Sequence, residues 1–131
     1  MLRCVTAAAA LLAALGLGAA PPAAAQAVRP FTAQTLRGEM QVTQPPEILM
    51  NGRPARLAPG SRIRGADNLL LMSGALAGQR LAVHYTLDPM GNVLHVWVLT
   101  PAELARQPWP MTPQQAAAWS FNPDAQTWSK P

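Results

Sequence analysis

Leu36, Gly38, Met40 and Val42 alternate with Arg37, Glu39, Gln41 and Thr43, the period-two signature of a strand with one buried face. Pro45-Pro46 interrupts pairing, Glu47 to Met50 forms a short second run, and Arg53 to Leu57 returns after Asn51-Gly52. Asn-Gly between two such arms predicts a type I′ hairpin, because both central residues need positive φ. Pro54 on the returning arm lacks a donor, which places this hairpin at a sheet edge. Ala58-Pro59-Gly60-Ser61 reads as a type II turn, with Pro fixing φ and Gly supplying the positive φ that follows. Arg62-Ile63-Arg64 then starts another short strand with Ile63 inward, and Gly65 to Asn68 is a turn. Leu69 to Met72 is apolar without alternation; its brevity and flanking turn residues favour a fully buried strand over one turn of helix. Ser73 to Gln79 is a glycine-spaced loop.

The central feature is Arg80 to Leu99, two apolar runs joined by Asp88-Pro89-Met90-Gly91. Val, Tyr, Thr and Trp suit a pleated, half-buried surface, and the turn residues fit a type I turn closed by a left-handed glycine. A three-residue loop with Gly91 as a bulge sets Asp88 opposite Asn92 and Tyr85 opposite His95. Val83, Tyr85, Leu87, Val93, His95 and Trp97 then share one face, with His84 on the other. A loop of Pro89 and Met90 alone moves the pairing by one residue and sets His84 opposite His95 on an outer face beside Trp97. The turn chemistry favours the first register.

After Leu99 the grammar changes from strand to helix. Thr100-Pro101-Ala102-Glu103 is a capping box with Pro at the first helical position, with Leu99 and Leu104 placed as its hydrophobic staple. It opens a short helix to about Arg106, ended by Pro108. Thr112-Pro113-Gln114-Gln115 repeats the device and opens a second short helix to about Trp119. Asn122-Pro123-Asp124 marks a turn in the remaining tail. The expected fold is all-β: a small barrel or two-layer sandwich of five to seven short antiparallel strands over 35–99. Residues 100–131 add two short capped helical turns and an irregular Trp-rich tail that packs on the β-domain.

The first 25 residues stand apart. Arg3 precedes an apolar run from Ala7 to Ala20, and Ala23-Ala24-Ala25 supplies the small residues of a cleavage site, the pattern of a signal peptide. Cleavage near Ala25 predicts a periplasmic protein with no transmembrane anchor, in which 26–34 is a flexible lead-in, either mobile or draped. The only cysteine is Cys4, so the exported chain would have neither thiol nor disulfide, and Cys nucleophiles and Cys zinc sites are excluded.

Charge adds the first binding candidates. Arginine supplies all but one of the ten basic residues of a chain with formal charge +4. Arg53, Arg56, Arg62 and Arg64 fall close together with no acid between them, a candidate patch for phosphate or other envelope polyanions. The alternative is a solvated strand face that keeps a small β protein soluble. No aromatics interleave with these arginines as single-strand binders require, which argues against nucleic acid. The four tryptophans, Trp97, Trp109, Trp119 and Trp128, lie in the C-terminal third. They read either as an aromatic platform for glycan strands or a partner protein, or as rings packed back over the barrel. His84 and His95, the only histidines, make a weak metal pair that needs a third ligand from Met, Asp or Glu.

No serine lies in a nucleophile elbow, and there is no HExxH, Walker loop or dinucleotide fingerprint. The expectation is a non-enzyme without a cofactor. The segments LRGEMQV, PPEILMNGRPARLAPGSRIRG, LLMSGALAGQRLAVHYTLD, VWVLTPAE and AAAWSFNPDAQTWSKP resemble small exported proteins of proteobacteria, chiefly β-proteobacteria, a family with no assigned activity. That resemblance implies a periplasmic address and carries no site residues. The leading expectation is a non-catalytic periplasmic binding or interaction module for an envelope protein or polyanion, with the Arg patch and the His metal pair as alternatives and the oligomeric state open.

Overall fold

A computed structural model describes Gly18 and residues 28–131. Apart from Gly18, the expected leader and its cleavage site lie outside the described residues. The strands are β1 (Leu36–Gln44), β2 (Glu47–Met50), β3 (Arg53–Arg64), β4 (Leu70–Leu71), β5 (Arg80–Leu87), β6 (Val93–Val98), β7 (Ser120–Asn122) and β8 (Thr127–Ser129). Two short helices, α1 (Pro101–Leu104) and α2 (Pro113–Ala118), fall between β6 and β7.

Five strands close a barrel. β1 pairs antiparallel with β2 and β5, β2 with β3, and β5 with β6, and a parallel pairing of β3 with β6 joins the ends. β4 attaches to the C-terminal end of β3 as an extra strand, and β7 and β8 form a separate hairpin. The tail is thus a short hairpin where irregular structure was expected. Closure also removes the edge assigned to the Asn51-Gly52 hairpin, since β2 is paired on both sides; Pro54 sits opposite Leu49 within that ladder. Both turn residues have positive φ, 54° at Asn51 and 76° at Gly52.

The core follows the alternation. Leu36, Met40 and Val42 from β1 meet Ile48, Met50, Leu57, Ile63, Val83, Tyr85, Val93 and Val96 inside the barrel. Gly38 is the small inward member of this set; a Cβ there would come within 2.9 Å of the Asn51 and Met50 side chains.

The Pro59-Gly60 stretch does not reverse the chain. β3 runs through it as one strand, with Gly60 at φ 77°. Its register against β6 jumps from Leu57 opposite Val93 to Arg62 opposite His95. The extra residues bend β3, so its first half pairs with β2 and its second half with β6.

In the central hairpin, Gly91 has φ 84° and Asp88 N donates to Asn92 O at 2.8 Å, as the bulged loop requires. A second irregularity then moves the register. Leu87 lies opposite Val93, but Tyr85 lies opposite Val96 and His84 opposite Trp97. Leu94 and His95 therefore oppose the single residue Thr86, whose Oγ1 accepts from His95 N at 3.3 Å. This bulge corrects the expected faces. Tyr85 does not face His95, and Trp97 and His95 leave the inner face for the outer one. Val96 and Val98 take the inner positions.

Both caps form as expected. Thr100 Oγ1 accepts from Glu103 N and Glu103 Oε1 accepts from Thr100 N, a complete capping box, while Thr112 caps α2 through Gln115 N. Leu99 is buried but Leu104 is exposed, so the staple buries only one of its two members. The lead-in is draped across the barrel, with Arg29 and Phe31 buried.

Candidate functional site

The outer face of β1, β5 and β6 is covered around Arg37, His84 and Trp97. Arg37 and His84 are opposite each other on β1 and β5, and Trp97 follows on β6. Phe31 from the lead-in and Trp109 from the segment after α1 close over them, with Trp128 behind. The His84 ring stacks on Trp109 at 4.2 Å and meets the edge of Phe31 at 4.4 Å. Trp109 Nε1 donates to Thr35 O at 2.9 Å, and the Gln126 side-chain amide grips the Phe31 backbone, Oε1 accepting from Phe31 N and Nε2 donating to Phe31 O. This makes a second hydrophobic core outside the barrel, and it consumes most of the candidate aromatic platform. Trp109 and Trp128 are buried, while Trp97 and Trp119 are half-buried. The remaining aromatic surface is an open groove along Ala33, Ala116, Trp119 and Phe121, with the Lys130 ammonium 5.3 Å from the Trp119 ring.

His84 and His95 do share the outer face, diagonally across β5 and β6, but they are in different environments. His84 is buried, and its Nε2 accepts from Arg37 Nε at 3.2 Å. Burial, reinforced by Arg37, Arg29 and Arg106 nearby, lowers its pKa to about 2. The ring is neutral, but its lone pair is committed to a guanidinium and its Nδ1 is enclosed without a partner among the described residues. His95 is half-buried against Trp97 at 5.9 Å between rings. No group of three His, Cys, Asp or Glu side chains converges among the described residues.

Arg29 anchors the lead-in. Its Nε donates to Glu103 Oε2 at 3.0 Å, its Nη2 pairs with Oε1, and further bonds reach Gly65 O and Val98 O at 2.9 and 2.7 Å. Burial alone would raise the Glu103 carboxyl, but the bonds from Arg29 and Thr100 hold it below its usual range. Arg37 does similar work on α1, donating to Glu103 O and Arg106 O at 2.7 and 2.9 Å and satisfying carbonyls that a helix end leaves unpaired. Sequence reasoning assigned no role to Arg29 or Arg37, because each finds its partners far along the chain.

The four singled-out arginines separate into three places. Arg53 lines a groove at one end of the barrel with Met50, Tyr85, Leu87 and Met111. Arg56 lies outside, 3.4 Å from Glu47. Arg62 and Arg64 stay together on the outer face, on either side of inward Ile63. The bend at Gly60 is what divides Arg53 and Arg56 from Arg62 and Arg64.

Beside Arg62 and Arg64 lies the feature that differs most from expectation. Leu69, Leu70, Leu71 and Met72 are 65, 60, 36 and 80 % exposed, not buried. They form the outgoing arm of the β3–β4 hairpin, with Ile63 opposite Leu71 and Arg64 opposite Leu70. The turn is tied tightly. Gly65 N donates to Leu69 O at 2.8 Å, Asn68 N to Gly65 O at 2.9 Å, Leu69 N to Asp67 Oδ1 at 3.1 Å, and Arg64 Nη1 to Asn68 O at 3.0 Å. The outer edge of β4 has no strand beside it among the described residues. The missing alternation in LLLM was the one available signal, and it fits an arm exposed on both faces as well as one buried on both.

Fold and surface together define a small closed five-stranded β-barrel with one extra strand, a second aromatic core on one flank and an apolar hairpin bracketed by arginines. Compared with protein-family models, curated proteins and solved structures, the chain has no match. Barrels of this type host many unrelated functions, so a functional reading has to come from the surface.

Proposed function

We propose that this chain is an exported, non-catalytic binding module whose partner docks at the β3–β4 hairpin. The observation that carries the reading is the exposure of four consecutive large apolar residues, Leu69 to Met72, on a hairpin fixed by backbone and side-chain bonds. A contiguous apolar patch costs solubility and marks an interaction site on a soluble protein. Arg62 and Arg64 beside it supply forked cations at the rim, so the envelope-polyanion alternative contracts to these two residues and becomes part of the same surface. The leader pattern, with Arg3 ahead of an Ala- and Leu-rich run, supports a periplasmic address.

The test is a photo-crosslinking residue introduced at Met72 in living cells, compared with one at Thr127, which is exposed on β8. Adducts of any kind from position 72, with few from 127, are expected. Equal labelling at both positions, or none at 72, would sink the reading.

A further inference from the structure

A protein partner and a bilayer ask different things of an exposed apolar segment. A peptide that adds a strand, or a flat protein face, engages one side of a β-ribbon, because successive side chains point to opposite faces. Leu69 to Met72 shows no such division: neighbours in sequence are all exposed, so apolar surface lies on both sides of the arm. β4 itself is two residues long, too short to template an extended ladder. The arm is nevertheless held in place. The bonds of the Gly65 to Leu69 turn fix one end, and Leu76, buried at the end of the following turn, fixes the other.

Charge around the arm is net positive, with Arg62, Arg64 and Arg106 outnumbering the exposed Asp67 carboxylate. Arg62 is exposed and Arg64 is placed against the turn by its bond to Asn68 O. On the other side of the turn, Arg106 lines a groove with Val28, itself 66 % exposed. Of the two carboxylates nearby, Glu103 is neutralised by Arg29, and Asp67 accepts from Leu69 N within its own turn.

Resting on the reading that this hairpin is the docking site, we propose that its occupant is the surface of an anionic lipid bilayer. Leu69, Leu70 and Met72 enter the boundary between headgroups and acyl chains, and Arg62 and Arg64 meet the headgroup phosphates. Apolar insertion and cationic attraction together give reversible binding that neither gives alone.

Co-sedimentation of the processed protein with vesicles tests this. Binding to phosphatidylglycerol vesicles, little to phosphatidylcholine vesicles, and a decline with added salt are expected. Leu70→Ser with Met72→Ser should weaken binding about tenfold or more with unchanged melting temperature, and Arg62→Gln with Arg64→Gln roughly 30-fold. Absence of vesicle binding, or equal binding by the Ser variant, overturns the proposal. Light scattering showing a dimer abolished by Leu70→Ser and Met72→Ser, without vesicle binding, assigns the arm to a second copy and also overturns it. Protein adducts from position 72 without vesicle binding would refute the bilayer and leave the docking reading standing, whereas no adducts at all would remove both.

Discussion

Arg37 uses its guanidinium to hold a histidine: Nε and Nη2 lie 3.2 and 3.1 Å from His84 Nε2. A donor that never loses its proton makes Nε2 the acceptor, which leaves the ring proton on Nδ1. A positive imidazolium there would face Arg37 directly, with Arg29 and Arg106 close by.

Stability should therefore fall on mild acidification. Unfolded His84 takes up a proton below its ordinary 6.5, while the folded ring resists protonation down to about 2. The unfolded state thus binds more protons across that window, and unfolding free energy drops as pH falls, by up to about 1.4 kcal/mol per unit. The Glu103 carboxyl, held below its ordinary 4.5, adds its own loss once pH falls below about 4.5 and until it reaches the lower folded value. Urea titrations from pH 7 to 5 should show the His84 slope, and His84→Gln should flatten it. An unchanged slope in the variant would refute the assignment.

Breaking the Arg29–Glu103 pair should cost about 3–5 kcal/mol, because removing one partner leaves the other charge buried. Glu103→Ala in urea unfolding measures this. The loss should exceed that of Glu47→Ala, since the Glu47–Arg56 pair is exposed and surface pairs contribute little.

Gly38→Ala should destabilise the barrel by about 1–3 kcal/mol through overpacking. Its new methyl meets Asn51 Oδ1, which accepts from Glu39 N at 2.9 Å, and the Met50 sulfur. Thermal unfolding of the variant checks it; a melting temperature within a degree of the parent would show that the hairpin can shift at little cost.

The apolar arm and its anchor should respond in opposite ways. Leu70→Ser, on an exposed side chain, should change stability by no more than about 0.5 kcal/mol. Leu76→Ala, on a buried one, should cost roughly 2–5 kcal/mol. Similar losses from both, measured by denaturant midpoint, would place Leu70 in the core.

Local rules made the barrel readable. The alternation from Leu36 to Val42, the Asn51-Gly52 turn, the Asp88 to Gly91 loop and the two threonine caps each depend on residues a few positions apart, and each forms. The Leu94-His95 bulge has no comparable signature, and one extra residue moved Trp97 and His95 to the opposite face. Arg29 and Arg37 act across 74 and 47 positions to Glu103 and His84, beyond any window in which spacing carries information. At Leu69 to Met72 the pattern showed that both faces share one environment, and hydrophobicity alone pointed to the wrong one.

The clasp between Gln126 and Phe31, 95 positions apart, also orders events in time. A chain made from its N-terminus has its barrel strands complete by Val98, yet Arg29 and Phe31 wait for Glu103, Trp109 and Gln126 before they can be buried. Contacts of such long range form late. Until the final hairpin exists, the flank around His84 lacks Trp128 and the Gln126 hold on Phe31, so deleting the last six residues should yield a chain whose barrel is encoded in full but whose outer aromatic core is left incomplete.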